Sequence, residues 1–350
     1  MFITLGEVAK ILGGTLENGK ADDKIHHIAP INEAQKGSIA FLRDKAWKHF
    51  VYSSEAAILV NQDWEFKEAP LRAKLIRVKD VLMGISILLG RRREDLHPEK
   101  LGVEEPSFIG EDVKLGTEIY RGAFSYIGDR TQIGSHAKIF PHTYIGHDCK
   151  IGDHTVVGPG TKIHPYTEIG EHVVISSNCC LGEDFGFFKG VDEDFYRSLP
   201  HIGKVVIGDW VYIGVGCVID RALLSSTQIE DRVKIGHGCG IGHGSHIKEN
   251  AVLAGGSALA GSTQIGKNCR IGIRANFSEQ VRIADFTSIG IGTNVTRSLN
   301  EEGEAWTGLS PVMKCTSHAR SVVNFSKLPE LIKRLDKIEN QLSKERGSNK

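Results

Sequence analysis

The sequence has no excess charge of either sign: Lys+Arg and Asp+Glu each number 43 in 350 residues, and the formal net charge is zero. A general nucleic-acid binder shows a basic surplus, so no nucleic-acid partner is expected. Long apolar runs are also missing. The longest, VLMGISILLG at residues 81–90, is too short to span a bilayer, and MFITLGEVAK lacks the apolar core of a signal peptide. The expected setting is the cytoplasm, with no integral membrane segment. Proline is sparse, 10 against 40 glycines, which suits many tight turns in an ordered chain. The seven cysteines include no CxxC pair, which removes a common zinc and redox signature.

What the chain does have is a step of six. From Ile127 an aliphatic residue recurs through Ile133, Ile139, Ile145, Ile151, Val157, Ile163, Ile169, Ile175 and Leu181. The step resumes at Ile207, Ile213 and Ile219, then runs from Ile229 to Val295 with Phe277 in the series. Ile109 and Leu115 extend it upstream and Arg121 breaks it. A helix buries no single face with such a step. A short strand plus a turn does. Three units make a triangular coil and stacked coils make a parallel β-helix, here roughly ten coils and roughly 50 Å long at ~4.8 Å per layer. The hexapeptide form is normally left-handed, an exception to the usual crossover hand.

The cysteines fit this frame. Cys149, Cys179, Cys217, Cys239 and Cys269 each fall four residues after an inward aliphatic, where Thr155, Thr161 and Ser245 also stand. They read as buried, reduced thiols packing as small hydrophobes. Two insertions break the register, residues 186–206 and four extra residues between Ile219 and Ile229. Loops ejected from a solenoid often carry its binding surface.

The ends differ. Residues 1–104 read as a small α+β domain: a helix at LGEVAKILGG, strands at AAILV and AKLIRV, and a second helix at VLMGISILLGRRRE. Within it Phe41 and Trp47 flank Arg43, Asp44 and Lys45. Two aromatics beside polar groups suit stacking of a flat base, or simply a core edge and a solvated turn. Residues 105–300 are the β-helix. In 301–350, Leu328, Leu331, Leu335, Ile338 and Leu342 alternate steps of three and four, an amphipathic C-terminal helix with a coiled-coil seam.

IGHGCGIGHGSHIKEN, residues 235–250, sets His237, His243 and His246 among glycines. His237 and His243 hold the same repeat position on adjacent faces, so they do not converge on one ion. No third ligand has suitable spacing, and no metal is expected. A lone imidazole titrating near ~6.5 accepts a proton at neutral pH. Gly261 stacks one coil beyond His243 and offers a backbone amide for an oxyanion. Residue chemistry alone leaves His243 as either a general base or a polar wall residue.

The segments VVIGDWVYIGVGCVIDRALL, VKIGHGCGIGHGSHI and AGSTQIGKNCRIG, together with the N-terminal domain, resemble UDP-3-O-(3-hydroxyacyl)glucosamine N-acyltransferases of lipid A biosynthesis over nearly the whole length. The resemblance implies a homotrimer in the cytoplasm of a Gram-negative-type bacterium, with active sites between subunits. It implies transfer of a 3-hydroxyacyl chain from acyl carrier protein, through its phosphopantetheine, to the 2-amino group of a UDP-3-O-acyl-glucosamine, with no bound cofactor. By that resemblance His243 is the general base and Gly261 the oxyanion amide. Phe41, Asp44 and Trp47 hold uridine, and His237, His246 and Gln280 line the acyl or phosphopantetheine channel.

The chain also departs from the family pattern. DNxVQIAHN reads GHGCGIGHG, so His237 and Gly244 replace asparagines and Gly240 a glutamine. A second histidine is Gln280, DGFG is shortened in EDFGFF, IDRGAL reads IDRALL, and an SSGIP-like segment reads WTGLSPV. Trp47 stands for a tyrosine and Asp44 for an asparagine. Two alternatives follow: a different UDP-amino-sugar acyltransferase, or a non-catalytic trimeric paralogue that binds a UDP-sugar or carrier protein.

Overall fold

The computed structural model describes residues 3–67, 70–96, 100–184, 186–189, 194–308 and 313–347. The chain divides into two compact units, Met1–Glu99 and Lys100–Lys350.

In the first unit, helix α1 (Leu5–Leu12) starts at a reciprocal cap. The Glu7 N–H donates to Thr4 Oγ1 at 3.3 Å, and the Thr4 N–H donates to the Glu7 carboxylate at 2.8 Å. It stops at Gly13, whose φ of 58° is left-handed. A five-stranded sheet runs in the order Thr15–Glu17, Lys74–Val78, Ala57–Asn61, Ser38–Phe41, His27–Ile28, antiparallel only in its first pair. Ala57, Ile58, Leu59 and Val60 of one central strand and Leu75, Ile76 and Val78 of its neighbour are buried, as expected where both sheet faces are covered. The short helix α2 (Phe50–Ser53) and helix α3 (Val81–Leu96) complete the unit. A Cβ at Gly84 of α3 would meet Leu59 Cδ2 at 2.7 Å, so glycine there lets the helix lie close on the sheet.

The second unit is a parallel β-helix with three faces. Lys138 pairs with Val156 on the first face, Tyr144 with Lys162 on the second and Lys150 with Glu168 on the third, each one coil apart. The step lengthens twice. Glu168 pairs with Val206 across the first insertion, and Val218 pairs with Gly240 across the second. The aliphatic row from Ile127 to Val295 is buried throughout, forming a continuous axial core. Thr and Cys fill the small slots beside it. Thr155 Oγ1 donates to the Gly170 carbonyl at 2.8 Å, and the five slot cysteines are buried and reduced. Every sixth residue turns a corner with left-handed backbone, as at His136, His142, Asp148 and His154.

Three expectations need correction. Ile109 and Leu115 are not enclosed; they are 36 % and 45 % exposed. They lie in the first coil, where the next coil covers them from one side only. Arg121 does not simply break the row. It keeps the strand register opposite Ile139, and its guanidinium reaches Glu105 at 3.7 Å. The coil also outlasts residue 300: Ala305–Thr307 still pairs in parallel with the strand Ser288–Ile289. Two helices follow, α4 (Cys315–Phe325), which the sequence pattern did not suggest, and α5 (Leu328–Gly347). Leu328, Leu331, Leu335 and Ile338 of α5 are exposed. The side chain of Leu342, Phe185 of EDFGFF and residues 309–312 of WTGLSPV lie outside the described residues. Among the described residues no helix is long and apolar enough to cross a membrane.

Candidate active site

The glycines around His243 are demands of the coil. A Cβ at Gly242 would sit 2.8 Å from the Gly261 nitrogen, and Gly244 has φ +66° at a corner. His237 has the same local setting but a different fate. Its Nδ1 accepts the Val215 N–H at 2.9 Å. The equivalent amide beneath His243 belongs to Arg221, which already donates to the Glu183 carbonyl at 3.1 Å. His243 is therefore not recruited as a cap, and its ring nitrogens have no hydrogen-bond partner among the described residues.

Gly261 lies directly against that ring. A Cβ there would fall 2.6 Å from Nε2 and 3.0 Å from Nδ1 of His243, so only glycine admits the imidazole. At several equivalents of this repeat position the N–H donates to a side chain one coil on: Ser135 to Asp153 Oδ1 at 2.7 Å, Lys267 to Asp285 Oδ1 at 2.9 Å. The Gly261 N–H has no acceptor among the described residues. An imidazole and an unspent donor thus stand side by side, which suits proton acceptance together with formation of a tetrahedral oxyanion.

Both belong to a cleft of about 460 Å³. The two insertions build its wall, Leu199 and His201 from the first and Leu223 from the second, while Asp220 and Glu279 add carboxylates. His201 is only 5 % exposed. Its Nδ1 lies 2.9 Å from Asp184 Oδ1, and its ring centroid is 5.0 Å from that of His243. Burial pushes His243 below the usual histidine range, the neighbouring His201 adds to this, and Glu279 opposes it. His243 is accordingly neutral, and able to accept a proton, at pH 7. Burial also pushes the Asp220 carboxyl up to about 6, against the pull of His201.

The remaining sequence-derived residues separate. His237 is exposed and lies outside the cleft lining. His246 is on the third face, its Nε2 2.7 Å from Glu230 Oε1, also away from the cleft. Gln280 occupies a left-handed corner, φ 60°, and donates its N–H to the Gly261 carbonyl at 2.9 Å; its neighbour Glu279 reaches the cleft instead. In the first unit Phe41 packs on the core edge, and Trp47 is exposed and stacks on Phe50 at 5.8 Å. Asp44 caps the short 3-10 turn Lys45–Trp47 by accepting the Ala46 N–H at 2.9 Å. Sequence reasoning missed His201, Asp220 and Glu279. His201 lies in an insertion with no period, so only the spatial return of the loop reveals it.

Residues 130–165 and 148–183 match the bacterial transferase hexapeptide (six repeats) family model. A UDP-3-O-acylglucosamine N-acyltransferase of Cytophaga hutchinsonii is 42% identical over 342 residues, covering 97% of this chain and 97% of its own. A protein of the same name from Christiangramia forsetii is 45% identical over 249 residues, 69% of this chain and 72% of its own. A solved UDP-N-acetylglucosamine O-acyltransferase of Moraxella catarrhalis RH4 aligns over 61% of this chain and 73% of its own, at 20% identity and a TM-score of 0.46, too distant to bear on the reaction.

Proposed function

The chain belongs to the UDP-3-O-acylglucosamine N-acyltransferase family, and on that premise we propose that it transfers a 3-hydroxyacyl group from acyl carrier protein to the 2-amino group of a UDP-3-O-acyl-glucosamine. The observation that carries this reading is the pairing of the unengaged His243 ring with the unspent Gly261 amide in one cleft. His243 takes a proton as the amine nitrogen attacks the thioester carbonyl. The Gly261 N–H holds the oxyanion. The C–S bond then breaks, and the proton on His243 passes to the leaving sulfur. No acyl-enzyme and no metal enter these steps. Phe41 and Trp47 stack the uracil and Asp44 meets its polar edge. The working form is a homotrimer in the cytoplasm of a Gram-negative-type bacterium, acting in lipid A biosynthesis.

The test is transfer from 3-hydroxyacyl carrier protein by the purified chain beside His243→Ala. Turnover in the wild type and none in a folded variant is expected. A variant as fast as wild type would remove His243 as the base. No turnover by wild type, with the UDP-sugar still bound, would favour a different acyl donor or acceptor, or a binding paralogue.

A further inference from the structure

We propose that His164, Cys180 and Glu183 form a site for a borderline-soft divalent cation of the zinc type, on the same face of the coil as the cleft and next to it. The strand pairing sets Lys162 opposite Cys180 and Ile163 opposite Leu181, so the chain just past Leu181 lies over His164. In a regular strand, residues three apart point to opposite sides. Here the register shifts between Leu181 and Glu183, a bulge at Gly182 with φ +83°. The bulge returns Glu183 to the outer side with Cys180, while Leu181 stays in the core.

The donor atoms converge. His164 Nε2 is 3.0 Å from Glu183 Oε2 and 3.7 Å from Cys180 Sγ, and all three lie within 4.8 Å of one another. Around a tetrahedral zinc with bonds of ~2.0–2.3 Å, nitrogen–oxygen and nitrogen–sulfur separations are roughly 3.3 and 3.6 Å. The two separations that involve His164 are within a few tenths of an ångström of these values. One nitrogen, one sulfur and one oxygen favour zinc, cobalt or a similar ion over magnesium or calcium. Three protein ligands leave a fourth position open.

The surroundings fix this geometry. Arg221 Nε donates to the Gly182 carbonyl at 2.6 Å and Nη2 to the Pro165 carbonyl at 3.2 Å, clamping the backbone beside two of the ligands. Its charge opposes a cation. A Cys180 thiolate and a Glu183 carboxylate together outweigh it. Glu183 pairs in register with Asp220, which lines the cleft, so the ion would sit one coil from the cleft wall and two from His243.

Cobalt(II) titration of the tag-free full chain, stripped of metal and kept reduced with a phosphine, tests this without any activity assay. One equivalent should bind with a thiolate-to-cobalt charge-transfer band and the intense visible bands of a four-coordinate ion, and zinc should displace it. Cys180→Ser should lose the charge-transfer band, and Glu183→Gln should keep the thiol but bind at least about tenfold more weakly. Cys315→Ser, at an exposed cysteine outside the trio, should behave as wild type. No charge-transfer band in the wild type, or a band that survives Cys180→Ser in a chain with unchanged circular dichroism, would overturn the proposal.

Discussion

At the scale of single residues, two histidines six apart in equivalent slots acquire different roles through what lies beneath them. The Val215 amide claims His237, while the Arg221 amide is already spent and leaves His243 free. The electrostatic setting of His243 leads to a pH prediction. As the proposed general base it works in the neutral form, so kcat/KM should fall as pH drops through its pKa. That pKa is lowered from 6.5, chiefly by burial and next by His201. A positive charge on His201 disfavours a second one on His243. In His201→Gln this repulsion is gone, the pKa of His243 rises, and the acid limb of the kcat/KM profile should move to higher pH. Of the other charged groups near His243, Glu279 acts in the opposite sense. A purely structural role for His201 would lower the plateau and leave the limb where it is, so an unmoved limb refutes the coupling.

At the scale of elements, each coil contacts only its neighbours, so stability is set locally along the stack. Ile163 lies mid-stack with no exposure, whereas Leu115 in the first coil is 45 % exposed. Ile163→Ala should lose about 2–5 kcal/mol through lost burial and a cavity. Leu115→Ala should lose well under half as much. Urea denaturation of both variants checks the contrast, and equal losses would mean that the first coil is enclosed. The interior was legible because a step of six has one structural meaning: Ile127, Ile163 and Ile247 are core for the reason their spacing suggested. Cys149 and Cys269 were legible for the same reason. The cleft was not legible. Both insertions are visible as broken register, but their joint placement of His201 and Leu223 around His243 depends on loops leaving consecutive coils. Nor do residues 164, 180 and 183 form a linear motif. They meet because one coil carries Cys180 back over Lys162 and a bulge re-aims Glu183.

At the scale of the whole molecule, the chain is two units with separate cores, Met1–Glu99 around a five-stranded sheet and Lys100–Lys350 around the axial row. The proposed labour is divided the same way. Uridine recognition by Phe41, Asp44 and Trp47 belongs to the first unit; acyl transfer at His243 and Gly261 belongs to the second. The lining residues named above belong to the second unit, and on the proposed division of labour removing the first unit should weaken substrate capture and leave the chemical step. Residues 100–350 alone should keep the β-sheet circular dichroism and a cooperative melt. Their KM for the UDP-sugar should rise at least tenfold, while kcat at saturation falls far less, the pattern of binding lost equally from ground and transition state. Trp47→Ala in the full chain should move KM in the same direction by a smaller factor. An unchanged KM in residues 100–350 would show that uridine is held elsewhere. A folded prism with no turnover at any substrate concentration would show instead that the first unit takes part in transfer itself.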